Sequence, residues 1–259
     1  MTRAGATGAR RRAKAPAFTG YDYLDFGCSK GANIDFTGTI LPGARGLGID
    51  IDPAKIAAAN AAGHDALVYD ILALPEEKIV DFVTMAHFLE HLFTIEDARK
   101  MIAKAISVAR HCVVIRQPWF DSDGDLLRHG LKFYWSHWRG HRNKMTSLDF
   151  HSILSAELAR GRIAGFGIHG RGPVGSSDHT TLLPLDAPMD QHHYDEALHG
   201  PNPTVDLPFQ AFKEIIVRID IAPSGTTDRL MAGIGRAVPL VVDGGTAPSG
   251  EVPRDGAAA

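Results

Sequence analysis

The sequence predicts an α/β protein built on a doubly wound, mostly parallel sheet of seven strands, with helices on both faces. Short apolar runs alternate with helical patterns about every 20–30 residues, as in strand–helix–strand units. A glycine-rich turn follows the first run, and a carboxylate stands at or near the end of each of the first four. Because parallel strands end at one edge of a sheet, these residues are expected to line a single ligand-binding crevice.

The first strand, predicted over residues 21–26, runs into a turn of sequence GCSKG at residues 27–31 and then into a helix. Glycine lets the backbone turn sharply and come close to a ligand. The turn has neither the GxxxxGK[ST] pattern of a phosphate loop nor the GxGxxG pattern of a dinucleotide site. Asp25, two residues before the turn, would repel a pyrophosphate but would suit an ammonium or sulfonium group. The turn therefore favours a positively charged ligand.

Three more strands are predicted at residues 44–51, 66–69 and 79–86, the last being the continuous apolar kind that parallel sheets bury on both faces. Asp50 follows Gly31 at the roughly 20-residue separation that lets an acidic residue accept hydrogen bonds from ribose hydroxyls. A nucleoside that bears a positive charge, as S-adenosylmethionine does, fits this combination. The carboxylates at the four strand ends are Asp25, Asp50, Asp70 and Glu90.

The remaining elements are predicted from capping residues and further apolar runs. Asp52 and Pro53 are an N-cap and a first-turn proline, and the alanine-rich helix that they begin extends to Ala62. Thr94 and Thr146 each precede an aspartate by three residues, in the manner of a capping box. Strands five, six and seven are predicted at residues 111–116, 162–168 and 214–221.

Two segments break the alternation, residues 117–145 and 171–210, and segments of this length inside a compact domain are functional or disordered. The first holds all three tryptophans of the chain, which form either a small core beneath a loop or a wall of the substrate site. The second is rich in proline, aspartate and histidine and is either a surface loop or a lid. The residues expected to contact substrate are Trp119, Tyr134, Trp135 and Trp138.

One domain is expected over residues 21–243, between two disordered tails. Residues 1–20 carry arginine and lysine but no acidic residue, and residues 244–259 are rich in glycine, proline, alanine and serine. With 44% hydrophobic and 22% charged residues, the composition is that of an ordinary globular protein.

The charge and cysteine content exclude several classes of protein. A formal net charge of −3 gives no reason to expect nucleic-acid binding. No apolar run reaches the roughly 18 residues that a membrane span needs, so no membrane partner is expected. The two cysteines, Cys28 and Cys112, form no disulfide framework, which favours a reducing compartment, the cytoplasm.

Four motifs, in order across residues 21–116, resemble those of class I S-adenosylmethionine-dependent methyltransferases of the small-molecule type. They read LDFGCSKG, GIDIDP, LVYDILALP and VDFVTMAHFLEHL. The resemblance implies a Rossmann-like fold whose seventh strand runs antiparallel between strands five and six. It also implies an enzyme that uses S-adenosylmethionine as its cofactor. Ser29 departs from the family pattern, which usually has its middle glycine at this position.

The resemblance assigns cofactor roles to residues of each motif. Asp50 would hold the ribose, Asp70 would receive the adenine amine, and the backbone N–H of Ile71 would face the adenine ring. His87, just after strand four, lies where the family places residues that touch the cofactor or the acceptor. The full expected cofactor set is Asp25, Gly27, Cys28, Ser29, Gly31, Asp50, Ile51, Asp70, Ile71, Ala86 and His87.

Three histidines are candidate catalytic residues, because a hydroxyl nucleophile is helped by a general base whose pKa is near the working pH. They are His87, His137 and His141. His87 has an alternative role as a residue that caps its strand. The four-residue spacing of His137 and His141 would place both on one helical face, as base and orienting residue or as metal ligands. No third ligand at a recognisable spacing is near them, so no metal is expected.

The predicted function is methyl transfer from S-adenosylmethionine to oxygen or nitrogen of a small-molecule or sugar-containing acceptor. The alternative is a binding module that no longer turns over and acts through a partner, for which Ser29 is the only support. The glycine spacing and Asp25 disfavour an NAD-dependent oxidoreductase. A methyltransferase for nucleic-acid base amines would carry an Asn/Asp-Pro-Pro-aromatic tetrapeptide where this chain has AHFL at residues 86–89. The oligomeric state is left open.

Overall fold

The computed structural model describes residues 18–243, and residues 1–17 and 244–259 of the expected tails lie outside this range. Phe18, which the sequence assigns to the basic tail, is buried, and its ring lies edge-on to Tyr69 with the centroids 5.7 Å apart. The packed part of the chain therefore includes Phe18.

Within residues 18–243, ten strands form two sheets. Eight of them make one sheet, and two short ones, β6 and β8 below, pair separately. The strands are β1 Tyr23–Phe26, β2 Gly46–Asp50, β3 Ala66–Val68, β4 Val80–Ala86, β5 Ala109–Pro118, β6 Leu131–Phe133, β7 Gly165–Pro173, β8 Leu182–Pro184, β9 Phe212–Asp220 and β10 Ala237–Asp243. The order in the large sheet is β10-β7-β9-β5-β4-β1-β2-β3.

The first five strands run parallel, with β1 lying between β2 and β4. From β1 the strand order therefore proceeds one way to β2 and β3 and the other way to β4 and β5. Open α/β sheets bind ligands at such a switch point, which here lies between β1 and β4. β9 runs antiparallel between β5 and β7, the position that the family resemblance implied for the seventh strand. The predicted doubly wound, mostly parallel sheet is confirmed.

An eighth strand, β10, extends the sheet beyond the seven predicted. It pairs antiparallel with β7 at the edge, and the register shifts between Pro239 and Val241. Proline has no N–H to donate to a ladder, so it is found at edge strands and bulges. A run that contains Pro239 does not show the pattern of a regular strand, which is why the sequence analysis missed it.

Helices cover both faces of the large sheet, as predicted. The pair α1 and α7 packs on the face that carries Tyr23 and Phe82, whereas α3 and α5 pack on the face that carries Leu24 and Phe26. Over the described range, no helix combines the length and the apolar character that crossing a membrane requires. The helices are α1 Ala32–Ile40, α2 Pro53–Ala61, α3 Ile95–Val108, α4 Asp123–Arg128, α5 Ser147–Ala159, α6 Glu196–His199 and α7 Gly225–Ile234.

The predicted helix starts are confirmed by their hydrogen bonds. Oδ1 of Asp52 accepts from the backbone N–H of Ala54 at 2.9 Å, and Pro53 is the first helical residue. Oγ1 of Thr94 accepts from the N–H of Asp97 at 3.1 Å. At Thr146 the capping box is reciprocal, since its side chain and that of the aspartate three residues later each accept from the other's backbone.

The two insertions fold onto each other. β6 belongs to the first and β8 to the second, and they pair antiparallel with Leu131 opposite Pro184 and Phe133 opposite Leu182. Phe133 and Leu182 are both buried. The second insertion therefore packs against the first. The part of it that forms β8 is ordered and is not a disordered loop.

Candidate active site

The glycine turn between β1 and α1 has a left-handed backbone. Gly27, Ser29 and Gly31 have φ angles of 69°, 50° and 94°, a region that L-residues rarely adopt. A Cβ built on Gly27 would stand 2.2 Å from the ring of Phe88. Gly27 is therefore required both by its φ angle and by the ring packed against it.

Asp50, at the end of β2, fastens this turn to the neighbouring strand. Its Oδ2 accepts from the backbone N–H of Ser29 at 3.0 Å, and its Oδ1 accepts from the N–H of Asp52 at 2.9 Å. Each carboxylate oxygen keeps a further lone pair for a ligand. The next residue, Ile51, is 76% exposed. The end of β2 thus offers hydrogen-bond acceptors and an apolar surface side by side.

Asp25, on β1, is buried with only part of its hydrogen-bonding capacity used. Its Oδ1 accepts from Nδ2 of Asn33 at 2.6 Å and from Oγ1 of Thr84 at 2.8 Å. Its Oδ2 is also buried and accepts no hydrogen bond from any residue between 18 and 243. Burial, partly offset by the two hydrogen bonds, raises the pKa of Asp25 to about 7. An unpaired carboxylate oxygen of this kind suits a cationic partner.

The remaining expected cofactor residues offer mainly backbone. Cys28 is buried, and burial raises the pKa of its thiol to about 12, so the thiol stays neutral. Asp70 is exposed, and its Oδ1 accepts from the N–H of Leu72 at 2.9 Å, which caps a short 3₁₀ turn. The side chain of Ile71 is buried in the core, so only its backbone is available to a ligand.

Together these residues fit a nucleoside that carries a positive charge. The unpaired oxygen of Asp25 suits the charge, and the free lone pairs of Asp50 suit ribose hydroxyls. Ala86 ends β4, the neighbour of β1, at the same edge of the sheet.

His87 lies between two carboxylates. Its Nε2 is 2.9 Å from Oε1 of Glu214, and its Nδ1 is 3.4 Å from Oε1 of Glu90. Burial lowers the pKa of His87, but the two carboxylates outweigh that effect and raise it to about 9. An imidazolium donates hydrogen bonds but has no lone pair with which to take a proton. The geometry therefore favours His87 as a donor over the general base that the sequence suggested.

Glu214, near the start of β9, is the centre of this charged network and was not singled out from the sequence. Its Oε1 also accepts from Nη2 of Arg116 at 2.8 Å, and its Oε2 accepts from Arg171. Burial acts to raise the pKa of Glu214, but His87 and Arg116 lower it to about 2. The available signal was a carboxylate directly before the apolar run at residues 215–217 of the strand EIIVRIDI.

His141, in the first insertion, lies beside His91 rather than beside His137. The ring centroids of His91 and His141 are 5.1 Å apart. Nδ1 of His141 is 2.9 Å from the carbonyl oxygen of Trp135, and Nδ1 of His91 is 3.1 Å from that of Gly140. Burial is the main reason that the pKa of His141 is lowered, so its imidazole is neutral at pH 7.

His137 does not join the other two candidate histidines. The 3₁₀ turn Tyr134–His137 ends before Trp138, so the expected helical face shared with His141 does not form. Nδ1 of His137 accepts from Nζ of Lys132 at 2.8 Å, and the two residues line a separate cavity.

Of the four aromatic residues expected to contact substrate, some belong to the hydrophobic core and others line a cavity. Trp119 is buried and donates from Nε1 to Oγ of Ser122 at 2.7 Å, which makes it part of the core. Trp135 donates from Nε1 to the carbonyl oxygen of Trp119 at 2.7 Å. Tyr134 and Trp135 line the cavity described next, whereas Trp138 is half-buried outside its lining.

A cavity of about 930 Å³ opens between the end of β4, the first insertion and the paired ends of β7 and β9. His87, which directly follows β4, lines this cavity. The cavity therefore adjoins the strand ends that are expected to hold the cofactor, called here the cofactor edge. Its lining combines aromatic rings with groups of both charges. Its lining includes His87, Glu90, His91, Tyr134, Trp135, His141, Arg171 and Glu214.

Comparisons with known proteins agree with the fold. The model of a family described as a methyltransferase domain matches residues 3–157, which is more than half of the chain. Comparison with curated proteins gives no significant match. Among solved structures, a SAM-dependent methyltransferase from Archaeoglobus fulgidus is 19% identical, with a TM-score of 0.52 over 79% of this chain and 88% of that one.

A second similar protein is magnesium protoporphyrin IX methyltransferase (ChlM) from Synechocystis PCC 6803. Its structure with bound SAH is 16% identical, with a TM-score of 0.47 over 79% of this chain and 76% of that one. Its structure with bound SAM is 14% identical, with a TM-score of 0.45 over 79% and 72%. Likeness to solved structures at these identities shows the fold alone. Membership of a family is shown instead by the family model, which matches more than half of the chain. The chain belongs to the methyltransferase-domain family and is a Rossmann-like, S-adenosylmethionine-dependent methyltransferase.

Proposed function

We propose that the chain methylates an oxygen or nitrogen atom of a small polar molecule, with sugar-containing molecules among the candidates. The observation that carries this proposal is the cavity of about 930 Å³, which adjoins the expected cofactor edge through His87. Pockets for small molecules are typically about 300–1,000 Å³. A net charge of −3 gives no support to a nucleic-acid acceptor.

The ends of β1, β2 and β3 would hold S-adenosylmethionine. Asp25 would face its positive charge, Asp50 its ribose hydroxyls and Asp70 its adenine amine. The exposed side chain of Ile51 would cover apolar surface of the nucleoside. The bound cofactor supplies a methyl group that its sulfonium already activates, so the remaining task of the protein is to position the acceptor.

The lining of the cavity suits a polar acceptor with one apolar face. Arg171 lines the cavity, and its guanidinium has further N–H donors beyond the one that bonds Glu214. Tyr134 and Trp135 offer ring surface, which suits aromatic rings and the apolar faces of sugars. Holding the acceptor in line for attack lowers a barrier by up to about 7–11 kcal/mol in favourable cases, so positioning alone supplies much of the catalysis.

The test begins with a metabolite extract incubated with the protein and S-adenosylmethionine. Mass spectrometry is expected to find a small molecule that gains the mass of one methyl group. For that acceptor, Tyr134→Ala should raise KM because it removes part of the cavity wall, while calorimetry finds the Kd of the cofactor unchanged. If the protein binds the cofactor but methylates no small molecule in any extract, the proposal fails.

His137→Ala is the matched control. His137 lines a different cavity, so this variant is expected to keep the wild-type KM and the wild-type Kd. A large loss of turnover in a folded His137→Ala protein would contradict the assignment of the acceptor to the cavity beside His87.

A further inference from the structure

A cluster of metal-binding side chains lies in the wall of the acceptor cavity. Glu90, His91 and His141 bring a carboxylate oxygen and two imidazole nitrogens within 4.8 Å of one another. The first two belong to the short turn Leu89–His91 after β4, and His141 comes from the first insertion. Two imidazoles and one carboxylate are the protein ligands of a well-known class of zinc site that leaves one coordination position open.

Both histidines are fixed in the tautomer that a metal needs. A carbonyl oxygen only accepts hydrogen bonds, so Nδ1 of His91 carries the proton that Gly140 receives, and Nδ1 of His141 carries the one that Trp135 receives. The lone pair of each neutral ring is then on Nε2. Metal-binding histidines usually donate their other ring N–H to a carboxylate or a backbone carbonyl in this way.

Glu90 provides an independent observation that points to a ligand. Its side chain is fully buried, at 0% exposure, and neither Oε1 nor Oε2 accepts a hydrogen bond from any residue in the range 18–243. Oε1 forms an ion pair with Nδ1 of His87, 3.4 Å away. A buried carboxylate without hydrogen bonds is costly unless a charge or a metal compensates it. Oε2 therefore lacks the partner that its burial requires.

The backbone holds the two halves of the cluster together. Asn143, two residues after His141, donates from its backbone N–H to the carbonyl oxygen of Glu90 at 3.1 Å. Its Nδ2 donates to the carbonyl oxygen of Leu89, also at 3.1 Å. Asn143 is itself buried, so the loop that carries His141 is fastened to the turn that carries Glu90 and His91.

We propose that Glu90, His91 and His141 bind one divalent transition-metal ion, for which zinc is the best match. Imidazole and carboxylate ligands suit zinc, and its charge would satisfy the buried Glu90. Because all three residues line the cavity, the open coordination position faces the acceptor. An acceptor oxygen as the fourth ligand rests on the function proposed above, whereas binding of the ion does not.

The test measures zinc in the full chain, with neither cofactor nor acceptor present. After equilibrium dialysis, elemental analysis is expected to find one zinc per wild-type chain. His91→Ala and Glu90→Gln should each bind zinc at least about 100-fold more weakly, since even changes outside the ligand shell cost about 10- to 100-fold. Cobalt in place of zinc should give the visible absorption of a low-coordinate site in the wild type but in neither of these two variants.

His193→Ala is the matched control, because His193 is an exposed histidine of the second insertion and is not one of the three proposed ligands. It should keep wild-type zinc affinity. Zinc should also raise the Tm of the wild type, because it binds the folded protein. It should leave the Tm of His91→Ala unchanged, because that variant has lost a ligand. His91 is exposed, so the variant is expected to fold. Equal zinc binding by the wild type and His91→Ala, or no stoichiometric binding by the wild type, would overturn the proposal even if methyl transfer is established.

Discussion

Asp50 joins the glycine turn of β1 to the helix that follows β2, because its Oδ2 accepts from Ser29 and its Oδ1 from Asp52. The carboxylate is only 9% exposed. The residue expected to hold the ribose is therefore also a structural clamp, and its two roles can be separated by a matched pair of variants.

Asp50→Ala should weaken binding of S-adenosylmethionine and also lower the stability of the protein. It removes the expected ribose acceptor and leaves two backbone N–H groups without their partner, each at a cost of about 1–3 kcal/mol when buried. Calorimetry measures the first effect, and thermal unfolding without cofactor measures the second. An unchanged Kd would show that Asp50 does not hold the cofactor.

Asp52→Ala is the control for that variant. Asp52 caps α2 by accepting from the N–H groups of Ala54 and Lys55, and loss of an N-cap costs about 1 kcal/mol. Its removal should therefore lower Tm while the Kd for the cofactor stays at the wild-type value. A loss of affinity equal to that of Asp50→Ala would mean that both variants act through the fold.

The pKa of Asp25 near 7 predicts a pH dependence of cofactor binding. The ionised form would attract the positive charge, so affinity should rise with pH and level off above about pH 7, with a limiting slope of up to about tenfold per pH unit below it. The cofactor-free protein should behave oppositely. Because the folded pKa lies above the ordinary value of 3.8, stability falls as pH rises between about 4 and about 7.

Asp25→Asn separates this group from all others that titrate in the same range. The amide oxygen can still accept from Asn33 and Thr84, so the fold should survive. Titration calorimetry across the pH range should find weaker binding that no longer changes with pH. A pH profile that is the same in the variant and the wild type would assign the dependence to another residue.

The strand ends could be predicted because each depends on a short stretch of sequence. An apolar run, a glycine or a carboxylate within a few residues was enough to place Asp25 and Asp50 at the same edge of the sheet. Local capping patterns likewise gave the starts of α2, α3 and α5. A structural feature that is formed by residues close together in the chain can therefore be predicted from those residues.

The acceptor side depends instead on contacts between distant segments. His91 meets His141 only because a turn after β4 is fastened to a loop of the first insertion. Glu214 gathers His87, Arg116 and Arg171 from the ends of three different strands, β4, β5 and β7. The spacing of His137 and His141 suggested one helix, but the chain forms a 3₁₀ turn that ends between them. None of these contacts can be predicted from the spacing of the residues along the chain.

Ser29→Gly should keep or modestly raise stability. The left-handed backbone at φ 50° costs an L-residue about 1–2 kcal/mol, and glycine avoids that cost but gives back about 0.4–1 kcal/mol through the greater freedom of the unfolded chain. The expected gain is therefore about 0–1.6 kcal/mol by denaturant unfolding. Ser152→Gly, inside α5, is the contrast and should lose about 0.5 kcal/mol, because glycine has the lower helix propensity. A loss at Ser29 equal to that at Ser152 would contradict the left-handed turn.

Glu214→Ala should be strongly destabilising, because it leaves the guanidinium groups of Arg116 and Arg171 without their carboxylate. Breaking a buried ion pair by removing one partner costs about 3–5 kcal/mol. Glu96→Ala is the control, since Glu96 pairs with Arg99 on an exposed helix surface, where such pairs contribute about 0–1 kcal/mol. Denaturant unfolding of both variants decides the matter. If the two losses are equally small, the network around Glu214 is solvated rather than buried, and the low pKa of Glu214 has no structural basis.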